Sequence, residues 1–281
     1  MGHQFNRLII LLMISVLTGC EETDLTGFFI SDESVNQRFK QSTEWNASHP
    51  YREIIVPSEN YFILTMGDSH VGGTNNLNTF LNIAKNTNAA AIVAVGDLTT
   101  GNASDYDRFQ EIMPSQDSLS SFLMVGNHDL WFNGWNQFYS RFGSSTYIFT
   151  IETPAAKDLF ICLDTGSGTL GKKQMDWLKE ILQTSRNEYR YCILFTHNNM
   201  FRNRHTLSTY PLVEELHVLI ELFTIHKVDM IITAHDHIKY EEKFGNTIYI
   251  TMDALEDGLD YSGYFKLNMI DGNIDYEFIN F

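Results

Sequence analysis

The sequence predicts an α/β fold in which two sheets pack together with helices on the outside. Three observations predict it. From Tyr51 to His237, strand-like apolar runs alternate with helix-like amphipathic segments, the pattern of sheets flanked by helices. After His237 the helical patterns stop and strand-like segments follow to the end of the chain. Five of the strand-like runs also end on ligand-type side chains: Asp68-Ser69-His70, Gly96-Asp97, Gly126-Asn127-His128-Asp129, Thr196-His197 and Ala234-His235-Asp236-His237. Parallel strands bring their C-terminal ends to one edge of a sheet, where ligands bind. These side chains should therefore converge.

Length and composition fit that fold. The 281 residues suit one large domain, and 43% hydrophobic content with 19% charge marks a globular chain rather than a disordered one. The formal net charge of −16 leaves no broad basic surface for a phosphate backbone, so no standing nucleic-acid partner is expected.

Residues 1–19 read as a signal peptide. Arg7 precedes the apolar stretch Leu8–Leu17, which is too short to span a bilayer as a helix and suits a secretory h-region. Leu17-Thr18-Gly19-Cys20 resembles a bacterial lipobox. That resemblance implies an acylated Cys20 and an exported lipoprotein anchored to a membrane, periplasmic or at the cell surface. The alternative is an ordinary signal peptide with an incidental cysteine. Cys162 and Cys192 lie inside apolar runs and are expected as buried free thiols.

Residues 20–50 are expected to form a tether and a short N-terminal helix. Glu21–Gly27 is acidic and polar, with little to bury. Ser34-Val35-Asn36-Gln37 has the form of a capping box, and Val35, Phe39 and Trp45 then lie roughly on one face. Residues 51–281 form the main domain. Within it the strand-like runs are Tyr61–Met66, Ala90–Val95, Ser121–Val125, Thr146–Ile151, Leu159–Leu163, Tyr191–Phe195 and Val228–Thr233. Helices are predicted at Leu77–Lys85, Tyr106–Ile112, Trp135–Phe142, Lys172–Thr184 and Pro211–His226. The apolar stripes Leu178-Ile181-Leu182 and Leu212-Leu216-Ile220-Phe223 support the last two. Lys239–Phe244, Thr247–Met252, Tyr264–Met269 and Ile274–Ile279, with turns at Gly245-Asn246 and Asp271-Gly272, read as a closing β meander.

Taken together, the five ligand-bearing blocks resemble the calcineurin-like metallophosphoesterase family. Its pattern is Asp-x-His, Gly-Asp, Gly-Asn-His-Asp or Glu, His, and Gly-His-x-His. The blocks span residues 68–237. The resemblance implies a four-layer α/β/β/α sandwich of two mixed sheets with flanking helices. It also implies a dinuclear centre. Asp68, His70, Asp97 and His237 would hold one divalent ion, and Asp97, Asn127, His197 and His235 the other, with Asp97 as the bridge. Oxygen and imidazole donors together suit Mn, Fe, Zn or Ni better than Ca.

The resemblance further implies that such a centre would hydrolyse phosphate mono- or diesters of small molecules through a bridging hydroxide. By the same resemblance, His128 contacts phosphate and protonates the leaving oxygen, a task that suits an imidazole. Asp129 would orient backbone or His128. Asp164, in Leu163-Asp164-Thr165-Gly166, would support the site or a turn. Arg202, Arg204 and His205 follow the fourth block and are candidates for substrate contact, with solvated loop charge as the alternative. Trp131 is a candidate for the rim of the site.

Two departures stand out. Ala234 occupies a position where the family has glycine, which matters only if φ there is positive. Asn198 follows His197 without the His-Pro often seen nearby. Two other classes of function remain open: a metal-binding or scaffolding lipoprotein without turnover, and a nutrient-capture lipoprotein without metal.

Overall fold

The computed structural model describes residues 33–49, 53–201 and 213–281. The described elements run α1 (Val35–Ser48), β1 (Glu53–Ile55), β2 (Tyr61–Met66), α2 (Asn75–Asn86), β3 (Ala91–Val95), α3 (Ala103–Ile112) and β4 (Ser121–Met124). A 3-10 turn (His128–Asn133) leads into α4 (Gly134–Phe142), β5 (Tyr147–Glu152), β6 (Lys157–Leu163), α5 (Gly171–Thr184) and β7 (Cys192–Thr196). The chain closes with α6 (Val213–Ile225), β8 (Met230–Thr233), β9 (Tyr240–Phe244), β10 (Thr247–Thr251), β11 (Gly263–Ile270) and β12 (Asn273–Asn280). Among the described residues no helix is long and apolar enough to cross a bilayer.

The strands form two mixed sheets, ordered β1-β5-β6-β7-β8-β10-β9 and β12-β11-β2-β3-β4. The parallel sets β2-β3-β4 and β6-β7-β8 carry the ligand-bearing ends. Between the sheets lies an apolar layer that includes Ile63, Val93, Phe149, Phe160, Phe195 and Phe265. Phe122 of β4 stacks on Phe149 of β5 at 3.6 Å and 7°, which joins the sheets through aromatic contact. A second apolar cluster packs α2, α3 and α4 on the smaller sheet. A third packs α5 and α6 on the larger one. The expected four layers are therefore present.

At the pole opposite the ligand-bearing ends, the sheets are tied by polar groups. Tyr61 Oη donates to the buried Asp158 at 2.7 Å, and Arg190 Nη2 donates to the same carboxylate at 2.6 Å. The thiols of Cys162 and Cys192 are free and buried, and burial raises both, Cys192 to about 12. They are core groups and not nucleophiles.

The structure corrects three details. The last four strands are not one meander. β9 and β10 are a hairpin on the larger sheet, with β10 parallel to β8, whereas β11 and β12 are a hairpin on the smaller sheet, with β11 antiparallel to β2. Apolar alternation specifies which face a strand buries, but not which sheet it joins. Second, β1 is an edge strand parallel to β5, too short to give a period. Third, α6 buries Leu219, Leu222 and Phe223, with Leu216 packed beside them, so its buried face is rotated from the predicted stripe. Leu212 and Pro211 of that prediction lie outside the described residues.

Two strand ends from opposite sheets touch where the glycine departure occurs. Ala234 is buried and absent from the positive-φ set, so alanine is unstrained there. A Cβ on Gly67 would lie 2.5 Å from the Ala234 Cβ and 3.0 Å from Val95 Cγ2. Gly67 is thus required by space and not by dihedral angle. Gly67→Ala should lower unfolding free energy by about 1–3 kcal/mol through overpacking. Ala234→Gly in the same chain should recover most of it, because the two side chains share one gap. Chemical denaturation of the two single variants and the double variant checks this; additive losses would refute it.

Candidate metal centre

Every sequence-predicted ligand lies just past the C-terminal end of a strand or in the turn that follows. Asp68 and His70 follow β2, Asp97 follows β3, Asn127 follows β4, His197 follows β7, and His235 and His237 follow β8. The strand ends are laced together by main-chain bonds. Asp68 N–H donates to Gly96 O, His70 N–H to Asp97 O, and Ala234 N–H to His197 O, at 3.0–3.1 Å.

These turns bend through unusual backbone. Asp68, His70, Asp97, His235 and His237 all have positive φ, between 37° and 74°. Each such non-glycine residue costs of order 1–3 kcal/mol and persists only where its surroundings enforce it. Gly96, at φ 92°, is the one glycine before a ligand whose conformation itself demands glycine. Gly126 serves by close approach instead, since a Cβ there would lie 2.1 Å from Asp97 Oδ1.

The donor atoms form two groups. In the first, His237 Nε2 lies 3.5 Å from Asp68 Oδ1 and 3.3 Å from His70 Nε2. In the second, His197 Nε2 lies 3.3 Å from Asp97 Oδ2, 3.1 Å from Asn127 Oδ1 and 3.2 Å from His235 Nδ1. Asp97 Oδ2 also lies 3.8 Å from His70 Nε2, so this carboxylate stands between the groups. Asp68-His70-His237 and Asp97-His197-His235 each have ligand atoms within 4.8 Å of one another.

The donors fit metal ions. Ligands about 2.1 Å from one ion, at tetrahedral or octahedral angles, sit roughly 3.0–3.4 Å apart, the spacing of His197 Nε2 from its three neighbours in the second group; the first group is wider, with Asp68 Oδ1 4.0 Å from His70 Nε2. Asp68 Oδ1 is buried with no hydrogen-bond donor among the described residues, a cost that a cation would remove. His197 Nδ1 lies 2.9 Å from Val95 O. A proton on Nδ1 satisfies that carbonyl and leaves Nε2 as the ligand atom.

Electrostatics point the same way. Burial pushes the Asp68 carboxyl up, but the facing His237 and His197 outweigh it and leave it at about 2. Burial likewise opposes Asp97, yet His197, His128 and His70 hold it well below the carboxylate range. Burial would lower His197, but Asp97 and Asp68 raise it to about 9. The cluster is a set of carboxylates that calls for positive charge.

His128 sits at the mouth. Its backbone N–H donates to Asp97 Oδ1 at 2.8 Å, and its Nε2 lies 3.9 Å from Asp97 Oδ2. The ring also joins His70 and Asp97 in a third potential ligand triad. Its side chain is 25% exposed, against 1% for Asp97, so with His237, at 23%, it is open to an incoming molecule. Trp131 lies against it, ring centroids 3.7 Å apart. Phe132 and Asn133 turn through positive φ, and Phe132 is 70% exposed.

Asp129 acts on backbone. Its carboxylate accepts from Leu98 N, Thr99 N, Thr99 Oγ1 and Gly126 N at 2.9–3.0 Å, which fastens the Asp97 turn to the Asn127 turn. Burial and the neighbouring Asp97 charge push it up to about 7. Arg202, Arg204, His205 and Cys20 lie outside the described residues. Sequence reasoning missed two supports. Asn199 Nδ2 donates to the buried Asp236 at 2.7 Å, which ties the fourth block to the fifth. Arg38 is fully buried against Asp164. A charged residue on an otherwise apolar helical face was the available signal for it.

A dimetal phosphatase from Danio rerio has a similar fold, with TM-score 0.63 and 12% identity over 78% of this chain and 96% of that one. So does GAP50, the anchor in the inner membrane complex of Plasmodium, with TM-score 0.59 and 13% identity over 79% and 89%. A purple acid phosphatase from yellow lupin gives TM-score 0.58 and 16% identity over 79% of this chain, which spans about half (52%) of that protein. No curated protein matches the sequence. The model of the calcineurin-like phosphoesterases matches residues 63–239, a segment that contains all five blocks and both donor groups, and the chain therefore belongs to the calcineurin-like phosphoesterase family.

Proposed function

We propose that this protein is a metal-dependent phosphohydrolase acting on small phosphate mono- or diesters, exported and held at a membrane through an acylated Cys20. The observation that carries the proposal is the complete donor set in two groups around Asp97, with His128 open beside it. Asp68, His70, Asp97 and His237 would hold one divalent ion, and Asp97, Asn127, His197 and His235 a second. Mn, Fe, Zn or Ni suits these donors. Two bound ions supply Lewis-acid activation of water and neutralise charge on the phosphoryl group.

The chain's own residues do the rest. Asp97 fixes the spacing of the two donor groups. Val95 O sets the His197 tautomer. The bond from the His128 backbone N–H to the Asp97 carboxylate and the face of Trp131 hold the His128 imidazole where a leaving oxygen can take its proton. Anchoring without turnover is the alternative. The Plasmodium neighbour shows that such a fold also serves as an anchor, so side chains and not fold separate the two readings.

Hydrolysis tests this directly. The full chain, chelated and refilled with Mn²⁺, Zn²⁺, Fe²⁺ or Ni²⁺, should cleave chromogenic phosphate esters. His128→Ala should retain its metal and lose roughly 10²–10⁴ in turnover, with smaller losses for good leaving groups. Absence of turnover with two ions bound would favour the anchoring role.

The raised His197 pKa sets a pH dependence. Below about 9 the ring carries a second proton, on Nε2, and a metal must displace it. Metal affinity should therefore fall as pH is lowered from about 9 towards 6, with proton release visible by calorimetry in buffers of different ionisation enthalpy. Affinity that rises on acidification would contradict the assignment.

For the anchor, Cys20→Ala should shift the protein from the membrane fraction to the soluble fraction after cell lysis. Unchanged sedimentation with membranes would sink the lipidation proposal.

A further inference from the structure

Helix α1 lies outside the family-matched segment 63–239, yet it reaches into the support of one donor group. On its buried face, Val35, Arg38, Phe39 and Ser42 fall at i, i+3, i+4 and i+7. Arg38 is the anomaly among them. Its Nε donates to Asp164 Oδ2 at 2.7 Å and its Nη2 to Asp164 Oδ1 at 3.1 Å. Nη2 also donates to Ser167 Oγ at 3.0 Å, and Nη1 to Glu33 O at 3.0 Å. The guanidinium is 0% exposed and its carboxylate partner 1%.

The loop it grips, residues 164–167, bears on the second donor group. Thr165 Oγ1 lies 2.7 Å from Thr196 Oγ1 and accepts from Asn198 N at 3.0 Å. It therefore brackets His197 on both sides. A Cβ on Gly166 would lie 2.8 Å from Gly126 O, so the loop also abuts the turn that presents Asn127. Gln174 locks the loop's other side through Asp164 N and O at 2.8 Å. The first group has a support of its own, Lys239 N donating to Asp253 Oδ1 at 2.8 Å just past His237, while the bond from His235 N to Asp68 Oδ2 at 2.9 Å joins it to the second group.

We propose that Arg38 is a positioning residue for the second metal site: through Asp164 and Ser167 it holds the 164–167 loop against the turns that carry His197 and Asn127. The inference rests on the dinuclear reading above. Helix docking alone does not require the ion pair. Phe39 packs on Trp177 at 5.9 Å and Trp45 on Tyr139 at 5.8 Å, which supply apolar contact at other points along the helix. A buried ion pair adds little net stability over an apolar pair of the same volume. What its fork adds is a fixed loop position. Residues supporting metal ligands from behind commonly set affinity by an order of magnitude or more.

The test is calorimetric titration of the chelated full chain with Mn²⁺, repeated with Zn²⁺. The wild-type chain should show two binding events. Arg38→Met should keep one at wild-type affinity and weaken the other by roughly 10- to 100-fold. Phe39→Ala, which loosens the same helix without touching the pin, should lower Tm and leave both events unchanged. Both events unchanged in Arg38→Met, both weakened equally, or the same split in Phe39→Ala would overturn the proposal. Should Arg38→Met fail to fold, Arg38→Lys keeps the charge but not the fork; a weakened single event supports the pin, and two wild-type events overturn it. Fewer than two events in the wild-type chain would refute the dinuclear reading itself, an outcome distinct from failure of the pin.

Discussion

Two carboxylates, Asp68 and Asp97, are almost wholly buried at the meeting point of the sheets. Among the described residues, the groups that hold their pKa values down are imidazoles, not lysine or arginine. Buried charge must be matched or neutralised. An imidazole matches it only while protonated, whereas a divalent cation matches it at any pH where the carboxylates are ionised. The rest of the site follows from that constraint. The histidines supply neutral donors, Asn127 adds an uncharged one, and Asp97 lies where it faces both groups. Asp129 adds another buried carboxylate, which burial and then the neighbouring Asp97 charge push up to about 7.

The constraint is expensive for the backbone. To aim short side chains inward from several strand ends, the chain turns through left-handed conformations at five ligand residues. Such strain survives only where neighbouring structure over-determines it. Here that structure is the main-chain lacing between successive blocks, the four-donor grip on Asp129, and the packing that forbids a Cβ at Gly67 or Gly126. The apolar layers behind the site make this possible. Phe149, Phe160 and Phe195 stack between the sheets, so the strand ends are fixed to rigid elements and not to loops alone.

Much of this was legible in the sequence because strand ends and ligands are local signals. An apolar run that stops at Asp-x-His declares both a strand and what it presents. The layers follow from alternation of two periodicities, and the chain order of the blocks carries the family resemblance. What was not legible is non-local. Sheet membership of β11 depends on pairing with β2, 200 or more residues earlier. The role of Arg38 depends on Asp164, 126 residues away. The roles of Gly67 and Gly126 depend on atoms from other strands, so a glycine that seems to serve dihedral freedom serves space instead. Arg38 did leave a trace, a charge at i+3 on the face defined by Val35, Phe39 and Ser42. Such a trace says that a partner exists, not which one.

The acidity of the chain bears on which phosphate the proposed centre would accept. A net charge of −16 repels phosphate at long range, but at physiological ionic strength such fields decay over about 8 Å. A cation-binding centre lined by buried donors therefore governs what happens within contact distance, while the surface governs what happens beyond it. A polyanion such as nucleic acid lays many phosphates across the surface and meets the repulsion at each of them. A small ester brings one phosphate to the centre and leaves little charge outside. Under the proposed function, the same charge distribution disfavours a nucleic-acid partner and favours small, singly engaged phosphate esters. It leaves discrimination among them to the groups at the mouth: the imidazole of His128, the indole of Trp131 and the exposed ring of Phe132.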